Sequence, residues 1–216
     1  MSFTEAFGLG VLPKPSAAKV RTCAREILGD LYDEYEFERL IPLTEESADH
    51  VARRLCAEGL SKILNGGLMR DRYFGAYQAK NGGGRVFSYI FSRVSPCRPE
   101  EKGGRRDSDR LLAFHSAELH YMFGGVGLDL PPARPWEETD RRLSDQMTSY
   151  WANFMRTGDP NGEGLPFWPQ ADECFGYMEL GDEPRGFSGI FGKREELLLA
   201  YTRRAFGSML PPEKQI

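Results

Sequence analysis

His115 stands at the head of a short apolar run, Phe114-His115-Ser116-Ala117-Glu118-Leu119-His120-Tyr121-Met122-Phe123-Gly124. An imidazole accepts and returns a proton near neutral pH, so one placed at the mouth of an element suits general acid-base work. Residue type alone leaves the ordinary alternative open, a histidine packed in a core or lying on the surface. Glu118 has two readings as well: a carboxylate that holds a neighbouring backbone group or water, or one that suits the first turn of a helix. His120 points away from His115 and is given no role. A second conspicuous stretch follows, Tyr150-Trp151-Ala152-Asn153-Phe154-Met155-Arg156-Thr157-Gly158-Asp159-Pro160-Asn161, and after it Pro166-Phe167-Trp168-Pro169. Its aromatic stripe reads as core packing. Its Gly, Asp, Pro and Asn are turn chemistry, and too few acidic positions are present for a calcium loop.

Taken together, His-x-x-Glu-Leu-x-Tyr-x-Phe-Gly, Tyr-Trp-x-Asn-Phe-x-x-Thr-Gly-Asp-Pro-Asn and the later Trp-Pro resemble the type-B carboxylesterases, the cholinesterase-like branch of the α/β-hydrolases. The resemblance runs in order from Asp71 to Leu180 and matches the carboxyl-terminal part of that family. It implies an α/β chain: a partial α/β-hydrolase fold holding the C-terminal strands and helices of a mostly parallel sheet, with residues 1–216 as one partial domain. It also implies carboxylic ester hydrolysis through a Ser-His-Glu triad in which His115 is the proton shuttle. The family carries its acid roughly a hundred residues before the histidine. Glu5 is the acidic residue at that separation, although its neighbours Thr4, Ala6 and Phe7 depart from the usual glycine after the acid. Triad acid and plain surface glutamate are both open readings of Glu5.

The nucleophile expected by the resemblance is missing. Among the thirteen serines, none lies in a G-x-S-x-G elbow, and no H-G-G-G oxyanion segment is present. Ser188, in Gly186-Phe187-Ser188-Gly189, comes nearest, but it lacks the second glycine at the right offset and follows the histidine. It is rejected as nucleophile. The chain alone is therefore expected not to turn over esters. Its implied role is to supply the histidine and the acid to a nucleophile carried elsewhere, its partners being a small ester and the amino-terminal half of the fold. The alternatives are a non-catalytic binding module or a truncated fragment without function.

Elements must position these groups, and hydrophobic period predicts several. Val20, Cys23, Ile27, Leu28 and Leu31 share a helical face over 16–31. Thr44 is placed to cap a helix with Glu45 and Glu46 in its first turn and Ala48, Val51, Ala52 and Leu55 on one side. A further helical segment follows Gly66-Gly67 and ends at Gly82-Gly83-Gly84. Arg85 to Phe91, rich in aromatic and β-branched residues, reads as a strand covered on both faces. A polar connection over 92–110 delivers the chain to His115, one loop beyond that strand, where α/β sheets bind ligands. Short helix is expected over 116–123, long amphipathic helix over 137–156 with Gly158 as its stop, a strand over 177–180 and a closing helix over 194–206.

Composition excludes other classes. Net charge is −4, with 28 basic and 32 acidic residues interspersed, so no basic field for nucleic acid exists. Four cysteines lie far apart and read as free thiols. No metal or cofactor is expected. No apolar run reaches the ~18 residues of a membrane span, and the start lacks the charged and apolar regions of an export signal. A cytoplasmic location without a membrane partner is the expectation.

Overall fold

The computed structural model describes residues 15–60, 67–114, 116–128 and 134–207. Glu5 and His115 lie outside the described residues. In chain order these form α1 (Ala17–Leu28), α2 (Leu31–Glu34), α3 (Phe37–Leu40), α4 (Ala48–Glu58), α5 (Leu68–Gly82), β1 (Tyr89–Phe91), a 3₁₀ turn (Pro99–Glu101), α6 (Ser108–Leu111), α7 (Leu119–Met122), α8 (Glu138–Thr157), β2 (Tyr177–Leu180), β3 (Arg185–Phe187) and α9 (Gly192–Phe206). They divide into two compact units, one drawn from 1–84, 172–175 and 189–216, the other from 85–171 and 176–188. None of the described helices is long and apolar enough to cross a membrane.

The first unit is helical. α1 buries Ala17, Val20, Ala24 and Leu28; of the expected stripe Val20 and Leu28 are buried on it, Cys23 and Ile27 are only half-buried, and Leu31 belongs to α2. Ser16 caps it by accepting from the Lys19 N–H. The helix expected directly after Thr44, α4, starts only at Ala48. Thr44 and Ser47 close a reciprocal turn through Ser47 N–H to Thr44 Oγ1 (3.2 Å) and Thr44 N–H to Ser47 Oγ (3.0 Å). Glu45, released from a helical turn, accepts from the Ala17 N–H at 3.1 Å and so caps α1. The carboxylate still meets orphan N–H groups of a helix start, but of a different helix. α9 contributes Leu197, Leu198, Leu199 and Tyr201 to the same core, and its buried Phe206 meets the Phe74 ring of α5. Arg72, fully buried on α5, fastens 172–175 and 189–195 by donating to the Phe175 carbonyl at 2.8 Å and to Glu195 at 3.3 Å.

The second unit holds a three-stranded sheet of order β1-β2-β3. β1 and β2 are parallel with Tyr89 opposite Met178, and β2 and β3 antiparallel with Tyr177 opposite Phe187. Two expectations are corrected. The ladder occupies Tyr89–Phe91, not 85–91: the Val86 carbonyl accepts from the Ala171 N–H in irregular chain, and the Ser88 carbonyl is shared between the Met178 N–H of β2 and Trp168 Nε1. The residues of β1 are half-buried, not covered on both faces. The sheet is mixed, one parallel and one antiparallel pair. α8 lays Leu143, Met147 and Tyr150 against Tyr121, Trp168, Met178 and Leu180. Each large apolar side chain sealed this way contributes about 1.5–3 kcal/mol. Gly158 ends α8 at φ 70°, where a Cβ would be strained, and its N–H bonds the Phe154 carbonyl.

Candidate active site: the frame on either side of residue 115

The chain enters and leaves position 115 through tightly held backbone. Upstream, Asp107 caps α6 by accepting from the Asp109 N–H at 3.0 Å. Ser108, buried, donates its hydroxyl to the Ser95 carbonyl at 2.7 Å. Leu112 then turns in the left-handed region, φ 53°, and Ser116 does so again at φ 67°. Neither is glycine, and such conformations persist only where the surroundings dictate them. Ala117 is buried to 1% exposure. Downstream, Tyr121 of α7 is fully buried. Its ring meets Phe91 and Trp136, and its carbonyl accepts from Ser144 Oγ at 2.9 Å.

A buried ionic group lies behind this frame. Tyr121 Oη donates to Asp140 Oδ1 at 2.8 Å. With its one proton so used, it accepts from Ser95 Oγ at 3.3 Å. Asp140, with no exposed surface, also accepts from Arg93 Nε at 2.7 Å and, through Oδ2, from the Glu137 N–H at 2.8 Å. Arg93 completes its fork on Glu137 (2.7 Å) and Asp182 (2.9 Å). The hydrogen bond to Asp140, acting against burial and joined by those to Glu137 and Asp182, holds the Arg93 guanidinium protonated far beyond its usual range. Burial pushes the Tyr121 phenol well above its ordinary value. Arg134, also buried, donates to the Pro96 carbonyl at 2.9 Å and lies 5.7 Å from the Phe114 ring.

Of the residues singled out from sequence, His115 and Glu5 are outside the described residues. Glu118 is the residue before α7, and its side chain makes no capping bond. Its carbonyl accepts from the Tyr121 and Met122 N–H groups. His120 rests against Trp136 with ring centroids 5.6 Å apart. Burial first, and then the Arg134 charge, lowers its affinity for a proton. Ser188 is exposed at the end of β3. Among the described residues no group of His, Cys, Asp or Glu is arranged to hold a metal.

Sequence reading passed over Arg93 and Asp140, which pair across forty-seven positions. One signal for Asp140 was present. With Leu143 and Met147 it occupies the buried face of α8, and a carboxylate on an apolar stripe requires a partner. The Tyr150–Pro169 stretch is a clamp. Asn161 accepts from the Trp168 N–H at 2.7 Å and donates to the Trp168 carbonyl at 3.0 Å and to Asp159 at 2.9 Å. Asn153 reaches the Pro160 carbonyl at 3.2 Å. Tyr150 donates to the Pro166 carbonyl at 2.6 Å, and burial pushes its phenol up to about 12. This chemistry is scaffolding: amides and a phenol satisfying a turn that carries Trp168 into the core.

Comparison with known proteins matches these elements. Carboxylesterase 5A of Felis catus is 36% identical over 103 residues, covering 47% of this chain and 18% of its own. Carboxylesterase 1D of Rattus norvegicus is 33% identical over 158 residues, 67% of this chain and 24% of its own. The chain thus spans about a fifth to a quarter of these relatives. Two solved structures share the fold. A PNB esterase superposes with a TM-score of 0.55 at 22% identity, over 88% of this chain and 34% of its own. A thermophylic PNB esterase superposes with a TM-score of 0.55 at 21% identity, over 89% and 36%. The described α/β arrangement is accordingly part of an α/β-hydrolase fold. The model of the carboxylesterase family matches residues 49–197, from the start of α4 into α9 and across both the tethered frame and the Asn161 clamp, and the chain belongs to that family.

Proposed function

We propose that this chain serves carboxylic ester hydrolysis by supplying the proton-relay histidine, His115, with Glu5 as the carboxylate that orients it, to a nucleophilic serine borne by polypeptide outside these 216 residues. One observation carries the reading: the family match over 49–197 encloses His115 in its motif, while no serine of the chain lies in a nucleophile elbow. His115 takes the serine hydroxyl proton as the serine Oγ attacks the ester carbonyl, then returns it to the departing alcohol as the ester C–O bond breaks. Water repeats the cycle on the acyl-enzyme. Glu5 fixes the imidazole tautomer and stabilises the imidazolium. The substrate is a small ester, the protein partner is the polypeptide carrying the elbow, and the setting is cytoplasmic.

The test is co-expression with the coding sequence immediately upstream, assayed with a p-nitrophenyl ester and a fluorophosphonate probe. The joined protein should hydrolyse and be labelled, and His115→Ala should cut turnover by at least about 10³-fold, as loss of the base does in triad enzymes. The chain by itself should take no label. Hydrolysis indifferent to His115→Ala, or labelling of the lone chain that disappears with Ser188→Ala, overturns the proposal. A binding module would retain its partner in a pull-down whatever stands at position 115.

A further inference from the structure

Ser95 receives both ends of the segment that contains position 115. Its carbonyl accepts the Ser108 hydroxyl at 2.7 Å, and its own hydroxyl meets Tyr121 Oη at 3.3 Å. Ser95 is 3% exposed, Ser108 8%, and Tyr121 and Asp140 are fully buried. Ser95 lies just beyond β1, two residues after Arg93, whose Nε is bonded to the same Asp140 Oδ1 that takes the Tyr121 proton. Upstream tether, downstream tether and the chain leaving the sheet thus converge on one hydrogen-bonded knot. Core filling does not require it. A phenylalanine at 121 would pack against Phe91 and Trp136 as well as tyrosine does, without burying a carboxylate and a guanidinium at the desolvation cost such groups carry. A polar group placed on an apolar face fixes register, because displaced neighbours would leave it unpaired. Between the two tethers the chain makes its left-handed turns at Leu112 and Ser116, conformations that need fixed ends to persist.

We propose that Ser108, Tyr121 and Asp140 are positioning residues, tying the two ends of the His115 segment to Ser95 and so setting where the imidazole is presented. The catalytic meaning rests on the function proposed above, whereas the tether itself does not. Tyr121→Phe removes the downstream tether by deleting one oxygen. Ser108→Ala removes the upstream one independently, so the question stays answerable if either variant fails to fold. Tyr150→Phe is the control, since it deletes the phenol bond, to Pro166, of an equally buried tyrosine in the same core cluster.

The full chain, labelled with ¹³C at histidine Cε1, gives one signal each for His50, His115 and His120, assigned by His→Gln variants. Movement or splitting of the His115 signal in Tyr121→Phe or Ser108→Ala, with no such change in Tyr150→Phe and none at His50, supports the tether. An unmoved His115 signal in both variants overturns it, as does equal movement in the Tyr150→Phe control. In the joined esterase, loosening the segment should lower kcat by up to about 100-fold, the scale of a 1 Å misplacement, with KM little changed. Loss of tether control in an esterase that still needs His115 sinks this inference alone. A moved imidazole in an esterase indifferent to His115→Ala sinks the functional reading alone.

Discussion

Asp140→Ala should cost the second unit more stability than any surface change of equal charge. The carboxylate has no exposed surface and accepts three bonds, from Arg93 Nε, Tyr121 Oη and the Glu137 N–H, at 2.7 to 2.8 Å. Its removal leaves the Arg93 side chain, 10% exposed, facing only Glu137 and Asp182, which are 60% and 70% exposed. Those two soften the loss but act through solvent, so the expected cost sits at the low end for breaking a buried pair, about 3 kcal/mol. Urea unfolding followed by tryptophan fluorescence reads the correct unit, because Trp136, Trp151 and Trp168 all fall within 85–171. At an m-value of about 1–3 kcal/mol/M the midpoint should fall by about 1–3 M. Arg142→Ala breaks the pair with Glu183, whose partners are 46% and 86% exposed, and should cost no more than about 1 kcal/mol. The double variant Asp140→Ala/Arg93→Met should regain part of the loss, since no uncompensated charge then remains in the core. A single-variant loss below about 1 kcal/mol, or strict additivity in the double variant, would refute the assignment of this pair as a buried knot.

Three further outcomes are expected. Asn161→Ala leaves the N–H of buried Trp168 without its acceptor and should cost about 1–3 kcal/mol in the same urea assay; an unchanged midpoint contradicts the clamp. The Asp159 carboxyl is held below its ordinary value, first by the Asn161 backbone N–H acting against burial, then by the Asn161 amide and Arg85. A carboxyl so depressed stabilises the fold above its unfolded pKa of about 3.9 and ceases to do so as pH falls through the lower folded value. The midpoint gap between wild type and Asp159→Asn should therefore be present at pH 7 and shrink in acid, and a gap that ignores pH counts against it. Gly176→Ala drives a Cβ into the Gln170 carbonyl, a backbone atom that cannot swing aside, so circular dichroism melts should show a loss of about 1–3 kcal/mol.

Periodicity made the long elements legible. α8, α9 and β2 lie where their apolar spacing places them, because α8 and β2 bury a face in one cluster and α9 in the other, whereas α5 lies between its flanking glycines but buries Met69, Arg72 and Gly75. What escaped was decided by competition between local partners. Glu45 could serve either of two helix starts and serves the earlier one. The aromatic run before β1 bonds irregular chain at Val86, whose carbonyl accepts from the Ala171 N–H, and Arg185-Gly186-Phe187 carries no strand signature although it pairs with β2. At the candidate site the sequence named His115 and Glu5 by family pattern. Asp140 left a trace as a carboxylate on the apolar stripe of α8, but nothing named Arg93 as its partner, since an ion pair spanning forty-seven positions has no local spacing.

The two family stretches therefore divide the labour differently from what their chemistry suggests. The histidine run contains the residue able to move a proton, yet the described part of that run works as backbone: Ala117 buried, Ser116 left-handed, Tyr121 tied to Asp140. The second stretch is richer in carboxyl, amide and phenol groups, yet each is spent on the turn that seats Trp168. Both converge on α8. Its first turn supplies Asp140 to the tether and its last turns supply Tyr150 and Asn153 to the clamp. One helix of twenty residues thus holds both stretches in a common frame, and a change on its buried face should reach both.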